Sequence, residues 1–231
     1  MTSQQYHLCF DFDSTIITKE SLDEVIAFAL EGDPKQSERV KAIEAITKEG
    51  MEGTLPFTTS VDRRLAAVPL TREDFLVVGE QLTHHITPGM EELFAELHTH
   101  PHITTYILSG GFFDSIRPTA EKLGVPPERV LTNDCRYDST GHVLGVDTDS
   151  VCYTNAGKAP VIEALRRAVL PGRFVMIGDG ANDLAAYTSK AADTFCAFAG
   201  NQERAAVCTQ APYVAHTTVH LHDFIFAQVT V

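Results

Sequence analysis

Two rhythms of apolar residues alternate along the chain. Short runs at Tyr6–Phe10, Ile103–Leu108 and Phe174–Ile177 are apolar throughout or rich in β-branched residues, and they stop at acidic or glycine-rich segments, the pattern of buried strands. Other stretches repeat apolar residues at helical spacing. Ser21–Leu30 places Leu22, Val25, Ile26 and Ala29 on one face, and Ser37–Lys48 follows as a helix that Gly50 is expected to end. More helix is predicted after Pro56-Phe57 through Leu65. Thr71 then opens another as an N-cap, with Asp74 three residues on to complete a capping box. From Thr18 to about Ile86 the pattern is helical, with no convincing strand.

Beyond Ile103 the rhythm changes. Ser109-Gly110-Gly111 reads as a loop, and Phe112–Leu123 as a helix that Pro118 should start or kink. Extended structure resumes at Val130-Leu131, and Asp138–Gly141 is a turn between the arms Asp134–Tyr137 and His142–Asp147. Lys158–Ala168 and Asp183–Lys190 read as helices, Phe195–Phe198 and Tyr213–Ala215 as short strands, and Leu221–Gln228 as a closing helix. Strand–helix alternation predicts an α/β fold, a parallel sheet covered on both faces. The helical block is then an insertion after the first strand. The expected organisation is a Rossmann-like core over 1–17 and 87–231 with a small helical cap over 18–86.

Composition narrows the class. A hydrophobic content of 44% in 231 residues supports a real core, and no apolar stretch approaches the roughly 18 residues of a membrane span. The start, Met1-Thr2-Ser3-Gln4-Gln5, lacks a signal peptide's basic and apolar regions, and five scattered cysteines without a Cys-x-x-Cys pair read as reduced thiols of a cytoplasmic protein. The formal net charge of −13 argues against a nucleic-acid partner but leaves an anionic small substrate open, since charge at the site decides binding. His98, His100 and His102 alternate as metal ligands can, yet proline interrupts them, and an exposed polar loop is expected there.

The chemistry lies in two acidic clusters. Asp11-Phe12-Asp13-Ser14-Thr15 closes the first apolar run, and Gly178-Asp179-Gly180-Ala181-Asn182-Asp183 closes another far downstream. Two carboxylates one residue apart on a strand share a face, and strand carboxyl ends open into the ligand crevice of open α/β sheets. Acids converging there repel one another unless a hard divalent cation holds them, and carboxylate-only sites suit Mg²⁺. The expectation is a Mg²⁺-dependent site that handles phosphate. Solvated turns are the bland alternative for either cluster alone.

With Ser109-Gly110-Gly111 and Lys158 between them, the clusters resemble the four motifs of the haloacid dehalogenase superfamily, whose aspartate-nucleophile phosphatases share a Rossmann-like core. The resemblance narrows to the phosphoserine phosphatase subfamily through Glu20 and Asp23, the segment Met51-Glu52-Gly53 with Phe57, and Arg64; Phe198–Asn201 resembles a late loop of the same enzymes. It implies Asp11 as nucleophile and Asp13 as general acid and base. It implies Lys158, Ser109 and the Gly110 amide as phosphoryl-binding groups. Mg²⁺ falls to Asp11, the carbonyl of Asp13, and Asp179, supported by Asp183, while Asn182 shapes the site. Glu20 would take the substrate ammonium and Arg64 its carboxylate, with Met51 and Phe57 as apolar walls; surface charge and core packing are the structural alternatives for these four. The implied substrate is a small phosphorylated amino acid. Three rivals stay open: phosphotransfer to an acceptor such as homoserine, hydrolysis of another small phosphoester, and a phospho-aspartate signalling module.

Overall fold

The protein's structure is a computed structural model that describes residues 4–168 and 171–229; the first three residues of the N-terminal segment read above lie outside that range. Strand β1 (Tyr6–Phe10) leads through an irregular turn of π type (Phe12–Ile16) into an insertion of four helices: α1 (Ser21–Ala29), α2 (Gln36–Met51), α3 (Phe57–Leu65) and α4 (Arg72–Leu82). The chain then runs through α5 (Met90–Leu97), β2 (Ile103–Phe112), α6 (Phe113–Lys122), β3 (Val130–Asn133), and a hairpin of β4 (Cys135–Tyr137) and β5 (Val143–Val146). It closes with α7 (Ala159–Ala168), β6 (Arg173–Gly178), α8 (Ala181–Thr188), β7 (Thr194–Phe198), α9 (Ala205–Cys208), β8 (Tyr213–Ala215) and α10 (Thr218–Val229).

Six strands form one parallel sheet in the order β3-β2-β1-β6-β7-β8. Its two faces feed two cores, as strand periodicity requires. Leu8, Phe10, Val175 and Ile177 face a cluster shared with Phe94 and Leu97 of α5 and Leu221 of α10. Cys9, Phe174 and Met176, the intervening residues, face Ile162 of α7 and Leu184 of α8. This is the α/β, Rossmann-like architecture expected from the alternation. β1 lies at the centre with β2 on one side and β6 on the other, so its carboxyl end is a topological switch point.

Chain exit and return are stitched together. Ile17 and Ile86 form an isolated antiparallel bridge, with Thr18 N–H on the His85 carbonyl (2.9 Å) and Thr87 N–H on that of Ile16 (2.9 Å). α4 is tied down a second time. Its N-terminal segment pairs with the hairpin, Arg72 N–H to Gly141 O and Val143 N–H to Leu70 O, both 2.9 Å, and Arg72 bonds Asp114 through Nε (2.9 Å) and Nη2 (3.2 Å). Gly79 lets α4 approach α6 closely: a Cβ there would lie 2.9 Å from the Asp114 carbonyl. That oxygen has no helical N–H to accept because Pro118 stands four residues on. Pro118 therefore sits inside α6, five residues past Phe113, rather than starting the helix.

Three further differences have physical causes. α2 runs through Gly50 to Met51, because Gly50 is where Ser60 of α3 packs; an added Cβ would lie 2.6 Å from Ser60 Oγ. Ser109–Gly111 continues β2 rather than forming a loop, accommodated by a register shift against β3. Helices α5 and α9 went unpredicted. The Thr71–Asp74 capping box forms as expected. The cysteines are all free, but only Cys9, Cys152 and Cys196 are buried, while Cys135 and Cys208 are half-buried. No helix among the described residues is long and apolar enough to cross a membrane.

Candidate active site

The residue after β1 and the residue after β6 are both aspartates, and parallel registration of the strands brings Asp11 and Asp179 side by side. Gly178 makes room for the third acid: a Cβ there would overlap the Asp183 carboxylate and lie 3.0 Å from Asp11 Cβ. Asp183 Oδ2 accepts the Gly180 N–H (2.9 Å), which starts α8 and pins that carboxylate. One oxygen each from Asp11, Asp179 and Asp183 lies within 4.8 Å of the others, all three buried. Lys158 answers them, with Nζ 2.5 Å from Asp11 Oδ1 and 2.6 Å from Asp183 Oδ1. Gly157, in a left-handed conformation (φ 67°), lets the lysine approach, since a Cβ there would lie 2.9 Å from the Asn182 carbonyl.

Asp13 stands apart from this trio. The two aspartates do not share a strand face; both follow the end of β1, and the π turn, with Ser14 at φ 53°, sends their side chains different ways. Asp13 accepts from Ser21 N–H (2.9 Å) and Ser21 Oγ (3.0 Å). Asp11 Oδ1 is fixed by Phe12 N–H (2.7 Å) as well as by Lys158.

A cavity of about 40 Å³ joins these groups to the insertion; Asp11, Asp13, Lys158, Ser109, Gly110, Asn182 and Asp183 line it from the core. Glu20, Met51, Phe57 and Arg64 line it from the insertion. Two core glycines seat the apolar pair. A Cβ on Gly110 would overlap the Phe57 ring, and one on Gly180 would lie 3.3 Å from Met51 Cε. Arg64 is buried, with Nη1 3.1 Å from both Asp23 Oδ1 and Thr47 Oγ1 and Nε 3.4 Å from the Ser60 carbonyl. Glu20 accepts from Ser14 Oγ at 2.7 Å.

Sequence reasoning gave no role to three participants. Arg204 donates from Nε to Asp179 Oδ2 (2.7 Å), and its Nη2 lies 3.5 Å from Glu20 Oε1, so it links the two acids. Asn201 Nδ2 clasps the insertion's exit and return, reaching Ile17 O (3.2 Å) and Thr87 Oγ1 (2.7 Å). Ser21 holds Asp13. The available signal was position: a polar cluster just after β7, at the same sheet end as both acidic clusters. The histidines form no metal site among the described residues; His100 and His102 meet edge to face, and His98 bonds Thr105 Oγ1 at 3.0 Å.

Crowding sets the electrostatics. Burial, then Asp183, push the Asp11 carboxyl well above the usual range, with Lys158 opposing. Burial raises Asp179 to about 7 against the pull of Arg204, and raises Asp13 to about 6 against its bonds from Ser21. Glu20 reaches about 7 through burial and the nearby Asp13. Burial works against the charge of Lys158, but Asp11 and Asp183 outweigh it and hold its pKa above the ordinary lysine range. Asp179 Oδ1 is buried without a hydrogen-bond partner. Three convergent carboxylates, one with an orphaned oxygen, fit a divalent metal ion, and oxygen-only donors suit a hard one.

A pH signature follows. Asp13, Glu20 and Asp179 carry folded values of about 6, 7 and 7 against ordinary values of 3.8, 4.5 and 3.8. The folded chain therefore keeps protons that the unfolded chain has released, and these groups lose stability as pH rises from about 4 to about 7. A cation held by ionised carboxylates offsets that loss. The melting temperature gained on adding Mg²⁺ is expected to be larger at about pH 8 than at about pH 5. A gain independent of pH would overturn the reading.

Comparison with known proteins agrees with the geometry. The model of the haloacid dehalogenase-like hydrolase family matches residues 8–187. The chain is 34% identical over 210 residues to the chloroplastic phosphoserine phosphatase of Arabidopsis thaliana, covering 90% of this chain and 67% of that protein. It is 31% identical over 218 residues to the Homo sapiens phosphoserine phosphatase, covering 94% and 89%. In three dimensions it is similar to the crystal structure of a phosphoserine phosphohydrolase-like protein from Francisella tularensis, with a TM-score of 0.86 and 29% identity over 96% of this chain and 100% of that one. With its acidic trio at the switch point of a parallel sheet, the chain belongs to the haloacid dehalogenase-like hydrolases.

Proposed function

We propose that this hydrolase converts O-phospho-L-serine and water to L-serine and phosphate. The observation that carries the reading is the composition of one cavity. Phosphoryl-handling groups, Asp11, Lys158 and Ser109, line one side, while an acid and a guanidinium, Glu20 and Arg64, line it from the insertion. Phosphoserine offers a phosphate, an ammonium and a carboxylate, one for each. The similarity to phosphoserine phosphatases supports the same substrate.

In this reading Asp11 attacks through Oδ2, because Oδ1 is engaged by Phe12 and Lys158. The new Oδ2–P bond forms as the bond from phosphorus to the serine oxygen breaks, and Asp13 gives its proton to the departing alkoxide. Asp13 then takes a proton from the water that attacks phosphorus, freeing Asp11 and phosphate. A folded pKa of about 6 suits a group that must hold and accept a proton near neutrality. Lys158 and Ser109 bind the phosphoryl oxygens. Asp11, Asp179, Asp183 and the Asp13 carbonyl would hold Mg²⁺, which supplies positive charge to the phosphoryl group. Arg64 keeps Nη2 free of hydrogen bonds among the described residues, and a fixed guanidinium suits a carboxylate. Asn182 shapes the wall beside Lys158. The free thiols support a reducing compartment, the cytoplasm.

In this reading the insertion caps the substrate, with Phe57 and Met51 seated on Gly110 and Gly180 of the core.

The deciding assay is Mg²⁺-dependent phosphate release from L-phosphoserine beside phosphothreonine, sugar phosphates and p-nitrophenyl phosphate, with and without homoserine. Preference for phosphoserine, unchanged by the acceptor, is expected. Turnover of the generic ester with indifference to phosphoserine overturns the substrate. Phosphate lost to homoserine makes the enzyme a transferase. For Arg64→Ala, KM for phosphoserine is expected to rise about ten- to hundredfold, while p-nitrophenyl phosphate, which lacks the carboxylate, is little affected. Equal losses on both substrates would remove Arg64 from recognition.

A further inference from the structure

The segment that carries Ser109 lies between two pairs of the β2–β3 ladder and has no β3 partner of its own. β2 and β3 pair at Leu108↔Leu131 and again at Phe112↔Asn133, so β2 advances four residues while β3 advances two. Ser109, Gly110 and Gly111 bulge out between those pairs, and a bulge leaves backbone groups to be satisfied elsewhere. Two side chains do so. Ser109 Oγ accepts the Gly111 N–H at 3.0 Å, and Asn133 Nδ2 donates to the Gly110 carbonyl at 2.8 Å. The Gly110 carbonyl and the Gly111 N–H belong to one planar peptide unit, which is thus gripped at both ends.

That grip has a direction. Having accepted the Gly111 N–H, Ser109 Oγ keeps its own hydrogen to donate, and Ser109 lines the cavity with Asp11 and Lys158. Asn133 itself is fully buried at 0% exposure and does not line the cavity. Its Oδ1 has no hydrogen-bond partner. A half-satisfied buried amide is a cost that an apolar side chain would avoid, and the bond to Gly110 is what offsets it.

We infer that Asn133 is a positioning residue: it sets the Gly110–Gly111 peptide plane and through it aims the Ser109 hydroxyl at the transferred phosphoryl group. The inference rests on the phosphatase reading above. Its test is a double-mutant cycle in the full chain with Mg²⁺, using p-nitrophenyl phosphate as substrate and orthovanadate as a mimic of five-coordinate phosphorus. Asn133→Ala is expected to lower kcat and weaken vanadate inhibition by about tenfold or more, with a smaller change in KM. In a Ser109→Ala background the same substitution is expected to cost less than about twofold, because the group it aims is gone. Asn133→Asp keeps the shape but replaces the donor, so a similar loss in a variant with wild-type circular dichroism covers the case in which the alanine variant does not fold. Equal losses in both backgrounds, or unchanged kcat in a folded variant, would overturn the inference alone. A wild type inert toward every phosphomonoester would overturn the phosphatase reading and this inference with it.

Discussion

Asp11→Asn is expected to leave a folded chain whose phosphomonoester turnover falls by about 10⁴-fold or more. An amide oxygen is a poor nucleophile, while the rest of the site stays in place. The geometry explains why the fold survives: the asparagine oxygen can still accept from Phe12 N–H and Lys158 Nζ, now 2.7 and 2.5 Å from Asp11 Oδ1. Burial and Asp183 hold the native carboxyl well above its ordinary range, so its charge is disfavoured in the metal-free interior. A neutral side chain removes that repulsion. Metal-free thermal stability is therefore expected to hold or rise as activity disappears, a separation that phosphate-release assays and melts in EDTA would register. Turnover within about a hundredfold of wild type would place the nucleophile elsewhere.

The second large effect concerns stability. Lys158 stands among carboxylates with its side chain only 7% exposed, and Lys158→Met would leave Asp11 and Asp183 without their counter-charge. Breaking a buried pair from one side costs about 3–5 kcal/mol. For a chain of this length that is a fall of about 6–20 °C in melting temperature in EDTA. Mg²⁺ is expected to restore part of the loss, since it answers the same carboxylates, and so is acid, since protonation removes the charges left uncompensated. Activity would not return with stability, because in the proposed mechanism Lys158 also binds the phosphoryl group; a loss of about 10²–10³ in kcat is expected. An unchanged melting temperature in EDTA would show that the acids are neutral without the lysine.

Much of this was legible in one dimension because it is written in periodicity. The strands Tyr6–Phe10 and Arg173–Gly178 announced themselves, and aspartates at their ends had to meet once the strands paired in parallel. The Ser-Gly-Gly segment was misleading: two glycines signal a turn locally, yet the ladder with β3 recruits them into a bulged strand. Gly50 misled likewise, since its role is to admit Ser60 rather than to stop α2. Pairings across the fold leave no local trace. The bonds from Arg204 to Asp179 and from Asn133 to Gly110 each join residues more than twenty positions apart. Motif thus pointed to side chains that the fold brings together, but not to the residues that hold them in place.

The double attachment of α4 separates what the chain's topology joins. Helix α4 belongs to the insertion by order, yet the hairpin and α6 grip it through Leu70, Arg72 and Gly79. Glu20, Leu22, Gly50, Met51, Phe57 and Arg64, the insertion's residues along the cavity wall, all precede that grip. On the proposed reading of the insertion as a specificity cap, the part that can be exchanged is therefore shorter than the insertion. Its downstream seam would fall near Leu70, so that selectivity is rewritten between α1 and that seam while the scaffold beneath is inherited intact.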